Sequence, residues 1–373
     1  MNIEKIRELF PVIKEWIYFN HATGSPLTIK TMEAMNEVLE DMKLHGVMHY
    51  TNWVKKVEEL RENVAQLINA DKERVAIITN YIQGVNIVSN GYDWKEEDTV
   101  VLSNAEYESL IYNWLNLASK GVIVKFVSST DDRVAVEDIM KAVDKYTRMI
   151  ILSHVQYNNG HRVSFKELSA FCKERDILLV AEGTHSLGAI NFNVEQEGVD
   201  VLIASGNKWL LGPEGCGILY LSDKALEKLP ATTIGWRNAD YGEDSSAYPI
   251  RFYESARKYE PSGLSMIGVY GLNAAVQLLL ETGMLEIEKR VLDLSSHLVA
   301  QLQKKNYEIY GSVERDKMSG IVSFYNKLIP AKDIRNTLLK HNIAVAEKRN
   351  YVVAGLHFYN TEEEINKMIS LLE

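Results

Sequence analysis

The sequence predicts an α/β protein: a seven-stranded, mostly parallel sheet covered by helices, followed by a smaller C-terminal α+β unit. Three observations carry this expectation. Short runs of consecutive Val, Ile and Leu recur through the middle of the chain, as in strands buried on both faces. Amphipathic stretches of helical length separate them, and alternation at that spacing makes a parallel, doubly covered sheet. Beyond about residue 255 the alternation gives way to two long helical patterns.

The expected strands of the large sheet are 75–80, 99–104, 122–127, 149–155, 177–183, 199–205 and 215–221. Helices are expected between them at 107–120, 134–146 and 165–175. In the last third, 264–282 and 284–305 read as long helices. Short strands follow at 308–311, 320–325, 343–346 and 351–357, with helices at 331–341 and 362–372. The division drawn from this pattern is a large domain over 16–255 and a small one over 256–373, completed by residues 1–15.

Composition narrows the function. With 41 basic against 51 acidic residues the net charge is −10 and no basic run occurs, which disfavours a nucleic-acid partner. No stretch approaches the roughly 18 apolar residues of a membrane span, and the N-terminus lacks a signal-like apolar core. A soluble, cytoplasmic protein is expected. The two cysteines, Cys172 and Cys216, are far apart and the nine histidines include no His-Glu-x-x-His, so a disulfide framework or a catalytic metal finds no support.

In open α/β sheets, ligands bind outside the carboxyl ends of the strands. There the sequence places Ala181-Glu182-Gly183-Thr184-His185 after one run and Ser205-Gly206-Asn207-Lys208 after a later one, followed by Gly212-Pro213-Glu214-Gly215. A lysine directly after a buried strand is unusual, since most lysines lie on exposed helix faces. Walled in, its pKa falls and its amine can form an imine with an aldehyde. Taken alone, the residues leave a solvated lysine as the plainer reading.

The stretches 153–189 and 199–221 resemble the class V aminotransferase/cysteine desulfurase family of fold-type I enzymes dependent on pyridoxal 5'-phosphate (PLP). Those enzymes carry Asp-x-x-Gln/His, then about 26 residues on a small-polar-Lys triplet and a Gly-Pro turn. Here Lys208 stands 26 residues after Glu182. Further matches occur at 17–28, at Gly235–Asn238 and at Leu356–Ile365, so the resemblance spans nearly the whole chain. It is closest to the isopenicillin-N-epimerase-like branch.

The resemblance implies a role for each matching residue. Lys208 holds PLP as a Schiff base and moves protons. Glu182 takes the place of the Asp that faces the pyridine nitrogen and keeps the ring electron-withdrawing. His185 lies near the ring's phenolic oxygen, and Tyr107 stacks on the ring. The 79–86 turn into a helix offers backbone N–H groups to the phosphate, with Tyr81 and Ile82 where the family has hydroxyls. Ser205 and Asn207 touch the phosphate as well. A partner subunit supplies a further contact, for which Ser262 (or Ser265) is the candidate, so a homodimer with a shared site is implied. Asn20 and His21 fall at the substrate side.

Two departures bear on the reaction. No cysteine follows Cys216, so a desulfurase mechanism through a protein persulfide lacks its nucleophile. The position of the family's carboxylate-binding Arg looks like Val353; Arg237, Arg349 and, as the weakest substitute, Lys348 are the replacement candidates. The leading expectation is an aminotransferase acting on a small amino-bearing molecule. A C–S lyase or epimerase on the same scaffold is the alternative, and a non-catalytic PLP-fold binding protein a third.

Overall fold

The computed structural model describes residues 1–239 and 251–373. Its twelve strands fall into two sheets. The large sheet contains β2 (Val75–Ile78), β3 (Thr99–Ser103), β4 (Ile123–Val127), β5 (Thr147–Ser153), β6 (Leu178–Glu182), β7 (Val201–Ser205) and β8 (Gly217–Leu221). Its spatial order is β2-β8-β7-β6-β5-β3-β4. The run from β4 to β7 is parallel throughout, whereas β8 is antiparallel to both β7 and β2. All seven expected strands are present. Strands β2, β3, β6 and β8 are buried along their whole length, which is why they read as continuous apolar runs instead of alternating ones.

The second sheet has the order β1-β11-β12-β10-β9, with β1 (Ile17–Phe19), β9 (Glu308–Tyr310), β10 (Ile321–Tyr325), β11 (Ile343–Lys348) and β12 (Tyr351–Gly355). Strand β1 was not among the expected strands; three residues are too few to show a period. It pairs parallel with β11, so the N-terminal contribution to this sheet runs past residue 15 to Phe19. The N-terminal segment is further tied to the C-terminus by the Arg7–Glu364 ion pair at 2.7 Å and by Phe10 stacked on Tyr359.

Helix Met266–Thr282 also departs from the sequence division. It lies against helices Ile29–His45 and Tyr50–Ile68, with Asn273 and Gln277 donating to Glu59. Buried residues dominate its length, and its contacts lie on the side of the large sheet. Gly283, at φ 88°, separates it from helix Met284–Lys304. The change of packing partner falls at Gly283. Sequence patterning marks where a helix is amphipathic but not which sheet it covers.

The register of the large sheet builds one edge. Ser153, the last residue of β5, lies opposite Glu182, the last residue of β6, and Glu182 lies opposite Ile203 of β7. Because β8 reverses direction, β2 runs the same way as β7, and its carboxyl end delivers helix Tyr81–Gly91 to the same edge. Gly84 makes that approach tight: a Cβ there would lie 2.6 Å from the Ile203 side chain.

Candidate active site

A cavity of about 430 Å³ opens at this edge. Its walls include Ala22, Thr23, Tyr81, Tyr107, Ser153, Tyr157, Glu182, Thr184, His185, Ser205, Asn207, Lys208 and Lys348. Eight of the residues singled out from the sequence (Lys208, Glu182, His185, Tyr107, Tyr81, Ser205, Asn207 and Lys348) are thus brought together from five separate parts of the chain.

Lys208 follows β7 in a turn held by several backbone bonds. Leu211 N donates to Lys208 O at 3.0 Å, and Gly212 N to Gly206 O at 2.9 Å. Leu211 adopts φ 60°, a conformation that side chains other than glycine rarely take. Trp209 is fully buried, and its carbonyl accepts from His357 Nε2 at 3.0 Å. His357 Nδ1 itself accepts from Phe358 N at 2.9 Å, which fixes the neutral tautomer that donates to Trp209. On the other side, Gly188 comes so close that a Cβ would lie 2.0 Å from Trp209 O. The lysine's backbone is therefore clamped between the 183–190 turn and the His357–Asn360 run.

Lys208 Nζ lies 3.2 Å from His185 Nε2. Burial lowers the Lys208 pKa, with the Glu182 charge opposing. His185 is held neutral, first by burial and then by the charges of Lys208 and Lys348. Glu182 is buried, accepts from Thr184 N at 2.9 Å and is pushed up by burial, while Lys208 pulls it down. Thr184 Oγ1 in turn accepts from Ser205 N at 3.1 Å, and Ser205 Oγ bonds Asn207 Oδ1 at 2.9 Å, so the two strand ends are stitched together.

Ser153, which the sequence analysis does not single out, joins the wall, and Glu106 stands behind it. Glu106 is buried, accepts from Ser153 N and Gln156 Nε2, both at 3.0 Å, and bonds the Ser153 hydroxyl. Burial drives its pKa up to about 7. Ser153 ends β5 but lies two residues inside the expected strand 149–155, so the strand-end rule reaches it only once the observed boundary is known. Lys348, ranked last among the cations, is the one of the three that lines the cavity. Its Nζ donates to Tyr157 O at 3.1 Å and sits 4.5 Å from the Tyr157 ring centroid. Burial and the Lys208 charge push its pKa down to about 8.

Other residues named from the sequence lie off the cavity wall. Arg349 turns outward at φ 52° to pair with Asp132 at 2.9 Å. Arg237 is buried beside Glu260, at 3.7 Å, and the Arg61–Glu260 pair consumes the same carboxylate. Neither lines the cavity. His21 is fully buried and bonds Tyr359 Oη at 2.9 Å among the rings of Trp209 and His357. Asn20 bridges to Gly355; it is their neighbours Ala22 and Thr23 that face the cavity. Ile82 is half-buried and absent from the wall, and Ser262 is exposed ahead of helix Met266–Thr282. Val353 is fully buried in β12.

The residues fit PLP. A buried amine, a buried carboxyl at the neighbouring strand end and a helix N-terminus converge on one cavity, as an aldehyde, a ring nitrogen and a phosphate dianion require. His185 Nδ1 and the Tyr81 hydroxyl are buried without a partner among the described residues, and both belong to the cavity wall.

Fold and site together define a PLP-dependent enzyme of fold type I. The chain belongs to the aminotransferase class-V family, whose model matches residues 17–368, and PLP is the cofactor of that class. A probable cysteine desulfurase from Methanothermobacter thermautotrophicus is 27% identical, over 100% of this chain and 98% of that relative. Among solved structures, the apo form of a cysteine desulfurase from Thermococcus onnurineus superposes with a TM-score of 0.90 at 26% identity, covering 99% of this chain and 97% of that one. A cystine C–S lyase in complex with its product, cysteine persulfide, shares the fold with a TM-score of 0.91 at 24% identity, covering 97% and 98%.

Proposed function

We propose that the chain is a cytoplasmic, homodimeric PLP enzyme that transfers the amino group of a small anionic amino compound, with Lys208 as its reactive amine. The observation that carries this reading is the buried Lys208 amine at the carboxyl edge of the sheet, next to neutral His185 and across from Glu182. Two free, buried cysteines agree with a reducing compartment. Exposed Ser262, outside this chain's own cavity, agrees with a contact given to a second copy.

When bound, PLP supplies an aldehyde for imine formation and an electron-accepting ring that makes the substrate's α-proton removable. Lys208, with its pKa lowered by burial, has more of the neutral amine that attacks a carbonyl. With PLP bound, the same Nζ would be the base that takes the substrate's α-proton and the acid that returns it. Neutral His185 accepts a hydrogen bond from Lys208 and directs the amine. Glu182, held by Thr184, places its carboxylate to bond a ring N–H. The first N–H groups of helix Tyr81–Gly91 would hold the phosphate, and Tyr107, on the cavity wall, would stack on the ring. Lys348 offers a cation to the substrate's anionic group.

A second reading, C–S bond cleavage, draws support from the desulfurase relatives. In this chain it would leave the sulfur on the departing fragment. Both thiols are buried, pushed up to about 12 and outside the cavity wall, so neither supplies a thiolate nucleophile.

The test is a spectral screen of the PLP-loaded protein against α-amino acids, their decarboxylated amines and cystine. Amino transfer leaves the amine form of the cofactor, with loss of visible absorbance and one keto product per site. Cleavage restores the starting spectrum and releases a persulfide or sulfide. No spectral change with any amino compound refutes both readings.

A further inference from the structure

Away from the cavity, three ligand-type side chains converge where helix Ile29–His45 ends. Asp41 and His45 stand one helical turn apart and so share a face. Gly46 then stops the helix at φ 59° and ψ −123°, a conformation open to glycine. The chain doubles back, and His49 arrives immediately before helix Tyr50–Ile68. His45 Nδ1 lies 2.9 Å, and His49 Nδ1 2.7 Å, from the same oxygen, Asp41 Oδ1. The two rings are 4.3 Å apart at 34°.

The other oxygen is fixed independently. Trp53 is buried, and its indole N–H donates to Asp41 Oδ2 at 2.7 Å. One carboxylate oxygen is thus pinned from inside the protein while the other faces two imidazole nitrogens. The three ligand atoms all lie within 4.8 Å of one another.

We propose that Asp41, His45 and His49 bind a divalent transition-metal ion of the zinc class, with Trp53 as the positioning residue of the carboxylate. Two ring nitrogens and one carboxylate oxygen suit zinc, nickel or copper; magnesium and calcium prefer all-oxygen shells. Bonds of about 2.0–2.2 Å from one ion place neighbouring ligand atoms about 3 Å apart, so the observed separations need only a small widening. Each ring that now bonds Oδ1 holds a proton on Nδ1. On metal binding that proton moves to Nε2 and the ring stays neutral, so the ion replaces two hydrogen bonds without net proton transfer. The side chains of His45, His49 and Asp41 are 45%, 43% and 23% exposed, which lets the ion enter without opening the fold and leaves coordination positions for water. The bound ion would tie the end of helix Ile29–His45 to the start of helix Tyr50–Ile68. None of the three residues lines the cavity, so the site is separate from the PLP chemistry.

Isothermal titration of the metal-stripped, PLP-loaded full chain with zinc chloride tests this, with magnesium chloride in parallel. One zinc per chain, no magnesium heat and a zinc-dependent rise in Tm are expected. His45→Gln/His49→Gln and, separately, Asp41→Asn should lose that zinc and the rise in Tm while keeping the metal-free Tm and amino-substrate turnover. Trp53→Phe should weaken zinc binding about 10- to 100-fold, as losing an outer-shell partner does. Cobalt(II) should give a visible absorption band in the wild type that the double variant lacks. Zinc binding that is absent in the wild type, or unchanged in both ligand variants, overturns the proposal.

Discussion

Replacing Lys348 with methionine keeps the length of the side chain and removes its charge. In the structure the ammonium is mostly buried, donates to Tyr157 O at 3.1 Å and shares the cavity with Lys208. A hydrogen bond to a charged partner contributes about 1.5–3 kcal/mol. At about 1.36 kcal/mol per tenfold, Lys348→Met should cut kcat/KM for an α-amino acid substrate by about 10- to 150-fold. The decarboxylated amine of the same substrate should lose little, so the ratio of the two is the assay. The pH dependence has a definite sign. The ammonium is lost as pH rises through about 8, so wild-type preference for the carboxylated substrate should fall above pH 8, and the variant should show no such limb. Folding gives a second reading. The native protein releases this proton near pH 8 and the unfolded chain near 10.5, so the unfolded state binds more protons between those values. This group's contribution to stability therefore rises with pH across that window, and urea titrations should show the rise in wild type and not in Lys348→Met. An unchanged preference ratio in the variant would refute the assignment of Lys348 as the anion-binding cation.

Other perturbations have outcomes as definite. Lys208→Ala should lower turnover by at least about 10²- to 10⁴-fold, the usual share of a positioned acid–base group, and borohydride reduction should label peptide containing residue 208 in the wild type only. Cys172→Ala and Cys216→Ala should leave turnover unchanged, and iodoacetamide should not modify the native protein, because both thiols are buried and pushed up to about 12. Glu106 is raised from 4.5 to about 7 by burial, so the native state binds more protons between those values and stability falls as pH rises through them. Glu106→Gln, which preserves partners for Ser153, should flatten that fall in denaturant titrations at a series of pH values.

Much of the fold was legible because burial on both faces writes itself into the chain. Strands such as β3 and β6 are unbroken apolar runs, and the helices between them carry one apolar stripe. Strand β1 was not legible, since three residues have no period and their pairing with β11 spans more than 320 residues of chain. The side of the molecule covered by helix Met266–Thr282 was hidden for a related reason: an apolar face records that it is buried, not by what.

The site divides along the same line. Lys208, Glu182 and His185 stand out in the sequence because each lies at or just after a strand's carboxyl end, and in a parallel sheet those ends are adjacent whatever the loops do. On the proposed substrate side, the cavity wall is made by other residues than those named from the sequence. Proximity in sequence suggested Arg349, but a left-handed backbone at that residue turns it to Asp132, and the hairpin leaves its neighbour Lys348 inward. His21 looked like a substrate ligand, yet it is fully packed against Tyr359, and the two residues after it line the wall.

The sequence by itself determined the layered α/β architecture and the placing of a lysine and a carboxylate at neighbouring strand ends, because local burial patterns and strand-end positions are one-dimensional properties. Tertiary structure alone decided which of the three candidate cations lines the cavity, that Glu106 bonds Ser153 opposite Glu182, and that Asp41, His45 and His49 meet at one point. Those outcomes depend on which way individual side chains leave a turn, a choice set by backbone dihedrals and by neighbours distant in the chain.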